Sequence, residues 1–128
     1  SSPFLEEAVK KFYADYSKAV QSRDMSAVLG FLSSRWDDSS GSLSNFKNEM
    51  GRIFADYGSI SFKVALNPIT AAAGDSLEVS YHLSLQGQLA KPPHLKNSEV
   101  FDVKEKLVSE NGALKIMSSE TSGSADDE

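Results

Sequence analysis

The chain has 128 residues, 40% of them apolar and 24% charged, enough to bury one core without disulfide or metal staples. Its net charge is −5 with no basic stripe to release phosphate counterions, which argues against nucleic acid as a partner. The absence of cysteine excludes disulfides, thiolate metal sites and a cysteine nucleophile, and no apolar run has the length of a membrane span.

The sequence starts at Ser1 rather than Met, as a mature chain after signal-peptide removal would, so a periplasmic or secreted setting is favoured over a cytoplasmic one. A first helix is predicted over residues 3–22, with Ser2 as N-cap, Pro3 at the first helical position, and Glu6 and Glu7 in the first turn. Phe4, Leu5, Ala8, Val9, Phe12, Tyr13, Tyr16, Ala19 and Val20 recur at helical spacing and make a wide apolar face. Asp24 is placed to cap a second, short helix over residues 25–33. Residues 33–44 are rich in Ser and Asp around Trp36 and read as a loop. A third helix follows over residues 44–57, with Phe46, Met50, Ile53, Phe54 and Tyr57 as its stripe and Gly58 as its stop.

From residue 60 the period changes to two. Ile60, Phe62, Val64 and Leu66 alternate with smaller or polar residues, and a shorter strand is expected around residues 69–73. Leu77, Val79, Tyr81, Leu83 and Leu85 mark the clearest strand, whose other face carries Glu78, Ser80, His82, Ser84 and Gln86. Residues 87–97 include Pro92 and Pro93 and are expected to be a loop or a broken edge, since proline cannot donate to a central ladder. A strand over residues 98–110, the turn signal Asn111-Gly112 and a return strand over residues 114–119 complete the pattern. Residues 1–120 thus read as one α+β domain, with 121–128 a disordered acidic tail.

Several of these segments resemble the nuclear-transport-factor-2-like superfamily, including its SnoaL-like and ketosteroid-isomerase-like members. The carriers are the Ser22-Arg23-Asp24 turn, the Arg23-Asp24-Met25-Ser26-Ala27-Val28 segment and the ending Asn111-Gly112-x-x-Lys115-Ile116, although Leu114 stands where a tryptophan is usual. The resemblance runs from about Phe4 to Glu120. It implies a cystatin-like cone, in which a strongly curved antiparallel sheet wraps three N-terminal helices around a pocket. Members include isomerases, dehydratases, ligand binders and assembly modules, so the fold alone does not select a function.

Residue by residue, the isomerase-type site carries over incompletely. Its oxyanion donor, a tyrosine eight positions before the Asp of the second helix, falls on Tyr16, which also fits the apolar stripe. The general base falls on Ser40, with Asp37 and Asp38 nearby. The acid on a late strand falls on Val103, or on Asp102 if the register slips by one, which would turn that side chain to the other face. Trp36, Asp37 and Asp38 are expected at the pocket rim, where an aromatic and two carboxylates could hold a polar or cationic ligand, and Tyr57 and Tyr81 among the pocket aromatics. His82 and His94 are isolated and read as surface residues, and no cofactor or metal is implied.

The reading is a non-catalytic module that binds a small ligand or a protein partner, with a homodimer expected through the outer sheet face. The alternative is an isomerase- or dehydratase-type enzyme using Tyr16 as donor and Asp37 or Asp38 as base.

Overall fold

The structure, a computed structural model, describes residues 3–39, 41–71 and 76–123. Helix α1 (Pro3–Gln21) buries Val9, Phe12, Tyr13, Tyr16 and Val20 along one side, as their spacing requires. After a turn with Arg23 at φ 58, the Asp24 side chain accepts the Ala27 N–H at 3.1 Å and caps α2 (Met25–Leu29). Helix α2 is shorter than the expected 25–33, because the chain beyond Gly30 has another partner. The Ile116 and Met117 carbonyls accept the Ser33 and Asp37 N–H groups at 2.7 Å, and Leu32 forms a parallel bridge with Ile116. Much of the expected loop is therefore tied to the last strand, covering part of its edge.

Helix α3 (Leu43–Asp56) starts at Ser42, whose hydroxyl accepts the Asn45 N–H at 3.0 Å. Gly58 does not stop it. Tyr57 is already extended, and the chain passes directly into β1 (Tyr57–Leu66). Of the carbonyl groups left open at this helix end, Phe54 O accepts from the Arg23 guanidinium at 2.9 Å and Asp56 O from the Ala90 N–H at 2.8 Å.

The remaining strands are β2 (Thr70–Ala71), β3 (Leu77–Leu89), β4 (Lys96–Glu110) and β5 (Ala113–Gly123). They form an antiparallel sheet in the order β1-β3-β4-β5, with β2 pairing to β3. The β3 and β4 strands extend further than expected, so the two prolines sit in a hairpin loop of residues 90–95 rather than on an edge. Asn111 and Gly112, at φ 53 and 81, make the left-handed turn that their pairing predicts. Strand β5 pairs as far as Gly123, three residues into the segment expected to be disordered, and residues 124–128 lie outside the described residues.

Two irregularities curve the sheet. One lies between Tyr57 and Ser59 in the β1–β3 pairing, the other between Lys106 and Leu107 in the β4–β5 pairing. At the first, β1 crosses so close to β3 that a Cβ on Gly87 would lie 1.9 Å from the Ser59 carbonyl oxygen. The curved sheet packs on α1, and the inward row Phe62, Leu85, Leu83, Val79 and Leu107 forms the core with the α1 aromatics.

Candidate functional site

Helix α3 meets β1 near its end but stands off β4 and β5. The gap is a cavity of about 710 Å³. Its apolar wall is built by alternation along the strands, which brings Phe62, Tyr81, Leu83, Phe101 and Val103 to one face. The opposite wall is α3, which brings the apolar Phe46, Met50 and Ile53 together with the polar Asn45, Glu49 and Arg52, and Tyr16 of α1 contributes an aromatic ring.

Between Phe101 and Leu107 the inward row of β4 contains one residue that breaks its apolar pattern: Glu105, 2% exposed and on the cavity wall. The register places it opposite Val79 of β3 and Ser119 of β5. Tyr13 donates to its Oε1 at 2.7 Å and Ser119 to its Oε2 at 2.8 Å, and the Tyr81 hydroxyl is a further donor. Burial pushes the Glu105 carboxyl above the usual carboxylate range, against the opposing effect of these three hydroxyls. Burial, followed by the proximity of Glu105, raises the Tyr13, Tyr16 and Tyr81 hydroxyls well above the ordinary phenol value, so all three remain proton donors. The Tyr16 ring is packed by Phe12, Phe31 and Phe62.

A second polar group joins α3 to β4 at the rim. The Arg52 guanidinium donates to Glu49 at 2.6 Å, to Asp56 at 3.2 Å and, across the gap, to Glu99 at 3.1 Å. Tyr57 donates to the other Glu99 oxygen at 2.7 Å and accepts from Asn97 at 2.7 Å. Arg52 is half-exposed, so these pairs orient the two elements more than they stabilise them.

Of the residues singled out in the sequence, Tyr16 and Tyr81 line the cavity. Trp36, Asp37, Asp38 and Tyr57 do not. Trp36 packs on Phe46 with centroids 5.6 Å apart, and its indole N–H donates to Gly41 O at 3.0 Å. Asp37 accepts the Ser39 N–H, which holds its carboxyl below the usual range, the reverse of what a general base near neutrality requires. Asp38 accepts the Leu43 N–H at 3.2 Å at the start of α3. Tyr57 is a core residue whose hydroxyl is engaged by Glu99.

Val103 is on the cavity wall, while Asp102 points outward and pairs with the exposed His82. His94 is exposed in the β3–β4 loop, and Ser40 lies outside the described residues. Glu105 was the residue that spacing alone could have exposed, as the one acid in the apolar phase Phe101, Val103, Glu105, Leu107. Among the described residues no cluster of His, Asp or Glu could hold a metal, and no helix is long and apolar enough to cross a membrane.

No protein-family model and no curated protein sequence matches the chain. Solved structures do. Aln2 from a Streptomyces species superposes with a TM-score of 0.75 at 14% identity, over 96% of this chain and 93% of its own. A nuclear transport factor 2-like superfamily protein from Salmonella enterica serovar Typhimurium gives 0.74 at 10% identity, over 100% and 96%. A candidate dehydratase of the same family from Streptomyces avermitilis gives 0.72 at 13% identity, over 96% and 99%. Identities this low speak of architecture alone, and the architecture is that of the nuclear-transport-factor-2-like superfamily.

Proposed function

We propose that this domain binds a small, largely apolar organic molecule in the cavity between α3 and the sheet. The observation that carries this reading is Glu105, a wholly buried acid held by Tyr13 and Ser119 on the wall of an otherwise mainly aromatic and aliphatic space. Burying a carboxyl costs several kcal/mol unless its hydrogen bonds are met, so a fold that places one there gains little stability from it. Its value lies in recognition: the apolar walls take the body of a ligand, while Glu105 and the Tyr16 hydroxyl orient its polar atom.

A thermal-shift screen of aromatic and alicyclic fragments tests this. Fragments at a hundredfold excess over Kd stabilise the protein by about 2.7 kcal/mol, a shift of several degrees. In Asn45→Trp, where an indole enters the cavity from α3, the same fragments lose the shift. Equal shifts in both proteins would place binding elsewhere.

The pairing of Glu105 with Tyr16 favours a second reading, an isomerase- or dehydratase-type enzyme. In it Glu105, rather than Asp37 or Asp38, holds and moves the proton, and Tyr16 donates to the developing oxyanion. Two neighbours in fold are candidate dehydratases, which supports looking for this activity. It requires Glu105→Gln to lose turnover while retaining ligand binding.

A further inference from the structure

The Glu105 carboxyl has hydrogen-bond donors but no counter-charge. Its neighbours are Tyr13 and Tyr16 from α1, Tyr81 from β3 and Ser119 from β5, and among the described residues none brings a lysine or arginine to it. The nearest lysines along its own strand, Lys104 and Lys106, fall in the opposite phase of the pleat, and Lys104 faces Glu78 on the outer face. A buried acid with no cation beside it is held towards its neutral form, and a cation brought against it favours ionisation.

The rim does not compensate. Its one cation among the described residues, Arg52, is already shared among Glu49, Asp56 and Glu99, so it brings no unpaired positive charge to the cavity. A carboxylate offers about four acceptor positions. Tyr13 and Ser119 occupy two, one on each oxygen, and Tyr81 lies close by, so the acceptor positions are not all taken. The aromatic rings of Tyr16, Tyr81, Phe62 and Phe101 surround the same space, and such ring faces attract cations.

Resting on the reading of the cavity as a ligand site, we infer that its ligand is an organic cation: a protonated amine on a compact aromatic or aliphatic body, with the ammonium against Glu105. The ligand supplies the counter-charge that the chain does not. A carboxylate-bearing molecule of the same size is repelled by Glu105, and a neutral alcohol gains the apolar contacts without the ion pair.

Three probes of similar size separate these cases by isothermal titration: 2-phenylethylammonium, 2-phenylethanol and 3-phenylpropionate. The ammonium binds on the order of tenfold or more tighter than the alcohol, as one charge-assisted hydrogen bond requires, and the carboxylate shows no uptake. In Glu105→Gln, with folding checked by circular dichroism, the preference for the ammonium disappears while the alcohol still binds. The wild-type comparison decides the question even if that variant does not fold. Alcohol or carboxylate binding as tightly as the ammonium overturns this inference alone, as does Glu105→Gln retaining the preference. Wild-type protein that binds none of the three overturns both this inference and the reading beneath it.

Discussion

At the scale of single residues, Glu105 decides most of what distinguishes this domain from a filled cone. Its folded-state pKa is raised by burial, so between the ordinary carboxylate value and the raised one the folded chain holds a proton that the unfolded chain releases. Stability therefore falls as pH rises from the ordinary carboxylate value through the raised one. Asp37 and Glu110, whose carboxyls are lowered chiefly by hydrogen bonds from Ser39 and Ser33, act in the opposite direction. They are present in wild type and variant alike and cancel in the difference. Glu105→Gln, measured by urea unfolding from about pH 4 to 8, should gain on the wild type as pH rises. Parallel curves would mean that Glu105 is no more costly to ionise in the fold than out of it. None of this was visible as a motif. Asp37 and Asp38 stand next to Trp36 in the sequence and so look like a cluster, whereas Glu105 gains its partners from elements as far away as Tyr13, 92 positions earlier. Only the register brings them together.

At the scale of elements, the helices and strands followed from their periods, and the errors fell where a tertiary contact replaced a local signal. Asp24 and Ser42 cap their helices as such residues do anywhere. Gly58, by contrast, has the chemistry of a helix stop but lies within β1, because Arg23 and Ala90 from other segments satisfy carbonyls at the helix end. Residues 31–37 carry no strand signal, yet they pair with β5. Two glycines show how far position overrides residue type. Gly87→Ala would drive a methyl group into the Ser59 carbonyl oxygen at the bend and should cost about 1–3 kcal/mol in urea unfolding. Gly51→Ala, in α3 with nothing nearer than Met25 Cε at 4.0 Å, should gain about 0.5–1 kcal/mol. A neutral Gly87→Ala would show that the sheet can relax there, and the bend would not depend on that close approach.

At the scale of the whole molecule, the curved sheet has two faces of different character. The inner face closes on α1 and leaves space under α3, with Glu105 at the wall. The outer face is polar and carries the pairs His82–Asp102 and Lys104–Glu78, while the row Ser61, Gln86 and Ser98 borders a shallow depression of about 690 Å³. The overall architecture was legible in the order of periods, since helices followed by strands have few ways to share a core. Whether the space between them is filled was not legible, because it depends on how far α3 stands from β4, which no pattern within either element records. The central claim is that the inner space is the ligand site. The most direct test is a ¹H–¹⁵N NMR titration with the ligand or fragment that gives the largest thermal shift. Binding in the inner space predicts amide shifts concentrated at Tyr16, Tyr81, Val103, Glu105 and the facing turn of α3. Shifts confined to Ser61, Gln86 and Ser98 on the outer face would contradict it.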